Sequence, residues 1–159
     1  MQLFRVPVEV GRLSTGGKPD GAALVVELAS LAEQGVTVLV SALPDDEVAE
    51  AGLSSEGAAA QALGLRFLAL PIVDLGVPSA ATLSRAADEL TALVQAGEHV
   101  HIHCWAGIGR SSLLAAAVLV RLGRRPEEAW AAVSAARGLP VPDTEEQRRL
   151  LAGWAADGG

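Results

Sequence analysis

The chain has 159 residues and a net charge of −7; 50% of its residues are hydrophobic and 19% are charged. This length is sufficient to bury a hydrophobic core, and the composition excludes a disordered chain. The negative charge disfavours binding to nucleic acid or to an anionic membrane, although a local cluster of cations would still accept an anionic substrate.

Strand and helix patterns alternate along the chain. The predicted strands, marked by β-branched and apolar runs, are residues 6–10, 36–41, 66–72 and 98–103. The predicted helices, marked by apolar spacing and capping residues, are 20–34, 44–51, 55–63, 79–96, 109–122, 126–136 and 144–155. The glycine-rich residues 11–20 predict a surface loop. Together these patterns favour an α/β fold: a single domain over residues 1–159, with a central, mostly parallel sheet flanked by helices on both faces.

The use of cysteine and lysine indicates the cellular compartment and the type of source genome. Cys104 is the only cysteine, which excludes an internal disulfide. No signal peptide is apparent, and no apolar run approaches the roughly 18 residues that span a bilayer. We therefore expect a cytoplasmic, reducing location. Lys18 is the only lysine, which is typical of a GC-rich, bacterial genome.

Residues 103–112 read His-Cys-Trp-Ala-Gly-Ile-Gly-Arg-Ser-Ser between a predicted strand and a predicted helix. Such a junction turns backbone N–H groups and a helix N-terminus towards an anion, and the same field stabilises a thiolate. Cys104 is therefore a candidate nucleophile, and Arg110 can hold two phosphate oxygens with its planar guanidinium. A buried structural cysteine and a surface arginine are the alternatives, which the two intervening glycines disfavour.

The set His103, Cys104, Arg110 and Ser111 resembles the signature loop of the cysteine-based protein tyrosine phosphatases, including their dual-specificity branch. Residues 35–41 resemble the strand before the acid-loop region, residues 71–74 the general-acid loop, and residues 144–147 a C-terminal glutamine segment. The order and spacing resemble the small phosphatases of the cyclin-dependent-kinase-associated group. The resemblance implies the tyrosine-phosphatase fold.

The resemblance also implies roles within the loop. Ser111 would hydrogen-bond the Cys104 sulfur, and His103 would support the loop and favour the thiolate. Backbone N–H groups and apolar walls for the substrate would come from the loop itself, which consists of Trp105, Ala106, Gly107, Ile108 and Gly109, together with Arg110. An ordinary polar residue in the first turn of a helix is the alternative for Ser111.

Outside the loop, the resemblance implies that Asp74 protonates the leaving oxygen and that Gln147 positions the hydrolytic water. An ordinary strand-end aspartate and a solvated helix residue are the alternatives. Asp45 and Asp46 are fallback acids, although their position after a proline favours a helix start.

Three histidines, His99, His101 and His103, alternate along one predicted strand and share one face of it. Two of them could join a zinc ion if a third ligand came from elsewhere. All three extend over roughly 13 Å, which is too far for one ion. We expect no metal and no organic cofactor.

These features favour a phosphomonoester hydrolase that forms a phosphocysteine and acts, as a monomer, on phosphorylated proteins, with phosphotyrosine preferred. The apolar residues Trp105 and Ile108 stand where phosphoinositide-directed relatives carry lysines. A phospho-binding protein without turnover and a sulfurtransferase are the alternatives. Low-molecular-weight phosphatases and arsenate reductases are disfavoured because their nucleophile loop lies near the N-terminus.

Overall fold

The computed structural model describes all residues, Met1–Gly159, and contains one five-stranded sheet in the order β1-β2-β5-β3-β4. The strands are β1 (Phe4–Val6), β2 (Arg12–Gly16), β3 (Val38–Ser41), β4 (Arg66–Ala69) and β5 (His99–His103). After a 3-10 turn at Gly21–Ala23, the helices are α1 (Leu24–Glu33), α2 (Asp45–Glu50), α3 (Glu56–Ala62), α4 (Ala80–Gln95), α5 (Arg110–Arg121), α6 (Pro126–Arg137) and α7 (Glu145–Ala156). Strand β1 pairs antiparallel with β2, and every other pair is parallel. The predicted α/β fold is confirmed.

Alternation along the strands builds a core on each face of the sheet. On one face, Val38, Val40 and Ile102 pack with buried residues of α4, α5, α6 and α7. On the other face, Leu39 packs with buried leucines of α1, including Leu28. A parallel sheet covered on both faces needs apolar strands, and the β3 sequence Val-Leu-Val-Ser meets this requirement.

The predicted surface loop at residues 11–20 is wrong in its first half. Residues Arg12–Gly16 form β2, which pairs with β5, and Leu13, Ser14 and Thr15 are buried. This strand has a single large apolar residue and is bounded by glycines, so it resembles a loop. Hydrogen bonds to two neighbouring strands, rather than hydrophobicity, define it.

The predicted first strand, residues 6–10, is also misplaced. Strand β1 is Phe4–Val6, and only Val6 is common to both. Pro7 ends the strand because proline has no N–H to donate to a ladder, and Val10 is exposed. An edge strand of three residues needs little apolar character, which is why the sequence pattern missed it.

The predicted helices form, and two of their caps are clearly seen. The Ser79 side chain accepts a hydrogen bond from the N–H of Thr82, and Thr144 and Gln147 form a reciprocal capping box at the start of α7. No helix of the chain is both long enough and apolar enough to cross a membrane.

The parallel strands β2, β3, β4 and β5 end at the same edge of the sheet, where ligands bind in open α/β folds. Two connections leave this edge. Residues 104–109, the cysteine loop, join β5 to α5, and residues 70–79, the Asp74 loop, join β4 to α4.

Candidate active site

Cys104 lies at the floor of the cysteine loop. Its side chain is buried, and its sulfur is 3.3 Å from the hydroxyl oxygen of Ser111. Its backbone N–H donates to the carbonyl of Gly16 at the end of β2 over 3.4 Å. The predicted nucleophile and its predicted hydroxyl partner are therefore together, with the loop backbone above them.

The backbone of the loop is shaped by close packing at two glycines. Gly107 has a φ of 72°, and a Cβ atom there would lie 2.6 Å from the carbonyl carbon of Gly16. A Cβ atom at Gly109 would lie 2.2 Å from a carboxylate oxygen of Asp143. Gly107 therefore excludes a side chain for conformational and steric reasons, whereas a Cβ atom at Gly109 would displace the Asp143 carboxylate.

The backbone carbonyls and the backbone N–H groups of the cysteine loop differ in their hydrogen bonding. Arg137 donates to the carbonyl of Gly107 over 2.9 Å and to that of Ala106 over 3.3 Å, and its guanidinium stacks on Phe4. No backbone N–H of residues 105–109 donates to a backbone acceptor of the chain. The carbonyls of the loop are therefore hydrogen-bonded to Arg137, whereas its N–H groups are available to an anion.

Arg110 begins α5 and is almost fully buried, with 3% of its side chain exposed. It donates to both carboxylate oxygens of Glu47, over 2.6 and 3.0 Å, and to the carbonyl of Ile72 over 3.0 Å. Burial opposes its charge, but the hydrogen bonds to Glu47 and the charges of Cys104 and Asp74 outweigh this effect and raise the pKa of Arg110. The cation is thus oriented before any anion arrives.

Asp74 stands at the rim of the site, with 64% of its side chain exposed and one oxygen 3.3 Å from Nη2 of Arg110. It lies in a turn from Val73 to Gly76, closed by an N–H···O bond of 2.8 Å. Leu75 in this turn has a φ of 56°, a conformation that usually requires glycine or asparagine. The predicted acid is therefore in the site, on a strained and exposed turn.

Gln147 connects the last helix to this turn. Its side chain is buried, and its amide nitrogen donates to the carbonyl of Gly76 over 3.3 Å. A Cβ atom at Gly109 would lie 3.0 Å from the same nitrogen, so Gln147 also borders the cysteine loop. The alternative of a solvated helix residue is wrong for Gln147.

A cleft of about 470 Å³ is bordered by Glu47 and Asp74, the two carboxylates that contact Arg110. Its lining consists of Pro44, Asp46, Glu47, Glu50, Val73, Asp74 and Trp105. The fallback acid Asp46 borders this cleft but has no ion pair with Arg110, and Asp45 does not line it. Of the aspartates considered from the sequence, Asp74 contacts the buried cation.

The three histidines of β5 are each bonded to side chains. The Ser14 hydroxyl lies 2.9 Å from Nε2 of His99 and 2.9 Å from Nδ1 of His101. Nε2 of His103 lies 2.6 Å from Oε1 of Glu56. No group of three or more His, Cys, Asp or Glu side chains is placed to hold a metal ion.

Sequence reasoning missed four residues at the site: Glu47, Glu56, Asp143 and Arg137. Glu47 and Glu56 stand in the first turns of short helices, where an acidic residue is expected for the helix dipole alone. Burial and repulsion from Asp74 raise the pKa of Asp143, against the attraction of Arg110. Only the position of Asp143 directly after Pro142 and directly before Thr144, the α7 cap, could have indicated it.

A buried thiol and a buried guanidinium at a strand–loop–helix junction, with a carboxylate above them, define the cysteine-based phosphatase class. Residues 16–124 match the family model described as "Polymorphic toxin system, DSP-PTPase phosphatase". The chain therefore belongs to this dual-specificity phosphatase family.

Known proteins agree with this assignment. Human cyclin-dependent kinase inhibitor 3 is 35% identical over 83 residues, which is 51% of this chain and 39% of that protein. The chain thus spans less than half the length of this curated relative. The predicted likeness to the kinase-associated group is confirmed.

Solved structures agree on the fold. Kinase associated phosphatase, in a form whose catalytic cysteine is replaced by serine, superposes with a TM-score of 0.84 at 21% identity, over 98% of this chain and 94% of that one. A glycine-to-alanine mutant form of Tk-PTP gives a TM-score of 0.78 at 27% identity, over 96% of this chain and 95% of that one.

Proposed function

We propose that the protein is a phosphomonoester hydrolase that dephosphorylates proteins through a phosphocysteine intermediate. One observation carries this proposal: the Cys104 sulfur lies 3.3 Å from Ser111 at the floor of a loop whose N–H groups are available, beside a buried and oriented Arg110. A nucleophile, an oxyanion cradle and a fixed cation are the parts that phosphoryl transfer requires.

The first half-reaction uses Cys104, Arg110 and Asp74. The thiolate of Cys104 attacks phosphorus, an S–P bond forms, and the P–O bond to the leaving group breaks. The loop N–H groups and Arg110 hold the three non-bridging oxygens as charge spreads over them. Asp74 transfers its proton to the leaving oxygen, so the product departs as a neutral alcohol or phenol.

The second half-reaction returns the enzyme to its starting state. Asp74, now a carboxylate, takes a proton from a water molecule that attacks phosphorus, and the S–P bond breaks. Ser111 donates a hydrogen bond to the departing sulfur and so stabilises the thiolate. We propose that Gln147, which contacts the Asp74 loop and borders the cysteine loop, orients this water. No metal or organic cofactor enters the scheme.

For the substrate, we propose phosphoproteins with a preference for phosphotyrosine, handled by a monomer in a reducing compartment. Support comes from the wall of the cleft. Trp105 and Val73 offer an aromatic and an aliphatic surface beside Arg110, as a phenyl ring needs. The carboxylates of Glu47 and Glu50 in the same wall disfavour a highly phosphorylated inositol.

The test is phosphate release from p-nitrophenyl phosphate under reducing conditions. We expect Cys104→Ser to abolish release and Asp74→Asn to lower kcat by about 10²-fold, with loss of the basic limb of the pH profile. The exposed Asp45→Asn is the matched control and should keep wild-type turnover. A loss caused by Asp143→Asn and not by Asp74→Asn would move the acid role to Asp143.

An inactive wild type would contradict the enzyme assignment. If that protein still bound vanadate or phosphate, and Arg110→Ala removed this binding, the site would belong to a phospho-binding protein. If the wild type is active, the rates of phosphate release from phosphotyrosine, phosphothreonine and lipid phosphates rank these substrates. Faster release from phosphothreonine or lipid phosphates would refute the phosphotyrosine preference.

A further inference from the structure

One buried carboxylate lies below the cysteine loop and has no part in the proposed reaction. Oε1 of Glu56, at the start of α3, lies 2.6 Å from Nε2 of His103, at the end of β5. The two side chains are 2% and 0% exposed. Burial of a charged group costs free energy unless the group is paired. A buried contact of this kind between distant segments is therefore a candidate for a functional role.

Both nitrogens of the His103 ring face acceptors. Nε2 faces the Glu56 carboxylate, and Nδ1 lies 3.3 Å from the backbone carbonyl oxygen of Cys104. A carbonyl cannot donate, so a hydrogen bond there needs a proton on Nδ1. A second proton must then lie between Nε2 and Glu56, on one or the other. With Nδ1 donating to this carbonyl, the pair holds one proton more than a neutral imidazole beside a carboxylate would.

The other charged groups around His103 do not replace Glu56. On β5 itself, burial and repulsion from His103 and His99 lower the pKa of His101 to about 3, so His101 is neutral. From α5, Arg110 already forms an ion pair with Glu47 and a weaker one with Asp74. On β2, the buried Ser14 hydroxyl is bonded to His99 and His101 and has no bond to His103. Glu56 is the carboxylate that contacts this ring.

We infer that Glu56 is a positioning residue that acts through His103 to keep Cys104 in its thiolate form. The ring lies between the Glu56 carboxylate and the backbone carbonyl of Cys104, so a shared proton held on the imidazole places positive charge beside the residue that carries the nucleophile. This inference rests on the proposed function for its catalytic meaning, but the ionisation of Cys104 can be measured without turnover.

The experiment measures the alkylation of Cys104 by iodoacetamide as a function of pH, followed by mass spectrometry. Cys104 is the only thiol in the chain, so the readout belongs to a single atom. In Glu56→Gln, the amide is similar in size but cannot hold the second proton. We expect the midpoint of the alkylation profile to rise by about one pH unit, since a nearby positive charge is lost. The kcat/KM for p-nitrophenyl phosphate should fall about tenfold on the acidic side and little at high pH.

Two further variants separate positioning from a merely structural role. Ser14→Ala removes a buried hydrogen-bond partner of two other β5 histidines and should lower thermal stability without moving the midpoint. The His103→Asn variant should itself raise the alkylation midpoint by at least as much as Glu56→Gln does. Adding Glu56→Gln to this variant should cause no further shift of the midpoint, because the imidazole through which Glu56 acts is absent.

Several outcomes would overturn the inference. Loss of stability in Glu56→Gln with an unchanged alkylation midpoint would make the pair structural. An equal shift in the His103→Asn background would mean that Glu56 acts without the imidazole. If Glu56→Gln does not fold, His103→Asn decides: an unchanged alkylation midpoint in that variant refutes the inference. A shifted midpoint in a protein without turnover would support the role of Glu56 and count only against the proposed function.

Discussion

The cysteine loop and the Asp74 loop bound the same site but are built in opposite ways. The cysteine loop has a buried thiol, a glycine that fits only as glycine, and carbonyls held by Arg137. The Asp74 loop exposes Val73, Asp74 and Leu75, and it contacts the rest of the site through three polar bonds. Those bonds run from Arg110 to Ile72 and to Asp74, and from Gln147 to Gly76.

The contrast indicates a division of labour between binding and proton transfer. A cradle for a doubly charged group gains most from rigidity, because its dipoles then need no reorganisation during the reaction. An acid that must reach each leaving group, and must admit water afterwards, gains from a loop that opens and closes. Four substitutions test whether rigidity and mobility are divided in this way.

The largest effect should come from the cysteine loop, at Arg110→Lys. The charge is kept, but the fork that meets Glu47 and two phosphate oxygens is lost. We expect kcat/KM to fall by about 10³-fold, measured with p-nitrophenyl phosphate. Arg66→Lys, in an exposed ion pair elsewhere, is the control and should be unaffected. A loss below tenfold would show that the geometry of the cation is unimportant.

Gly107→Ala tests the rigidity of the cysteine loop backbone. The new Cβ atom would meet Gly16 at 2.6 Å, and the positive φ would strain any side chain. We expect the free energy of unfolding in urea to fall by about 3 kcal/mol. Phosphate binding should weaken with it, since the N–H groups turn away. An unchanged stability would mean that the loop yields easily, against the contrast drawn above.

A smaller effect is expected at Gln147→Ala, which releases the Asp74 loop. The bond to the Gly76 carbonyl and half of the α7 capping box are lost. We expect kcat to fall about fivefold and stability by about 1 kcal/mol, while Cys104 alkylation stays unchanged. Thr144→Ala is the matched control, because it removes the cap and keeps the Gly76 contact. Equal kcat values for the two variants would refute a role for Gln147 in the loop.

The smallest effect should come from Leu75→Gly in the Asp74 loop. Glycine relieves the strain at a φ of 56°, but it adds freedom to the unfolded chain. The two contributions nearly cancel, so we expect stability to change by less than about 1 kcal/mol, measured by urea unfolding. A loss of several kcal/mol would place Leu75 in a rigid element and would remove the distinction between the loops.

The same contrast explains which parts of the molecule the sequence predicts. The loop motif is contiguous, and its strand and helix have strong patterns, so Cys104, Arg110 and Ser111 are predicted together and lie together. The partners Glu47 and Glu56 come from other segments, and nothing local distinguishes a helix-start acid from a buried ion-pair partner. Strand β2 is missed for a related reason: its neighbours in space, not its own residues, make it a strand.

Arg137 stabilises the cysteine loop although it lies outside the ten signature residues, 103–112. It lies at the end of α6, stacks on Phe4 of β1 and grips the carbonyls of Ala106 and Gly107. The cradle is thus braced by residues far before and far after it in the chain. A peptide with the ten signature residues, or a graft of them into another strand–helix junction, would carry the motif without its brace. Transfer of the anion-binding loop to another protein therefore requires the whole domain rather than the ten-residue motif.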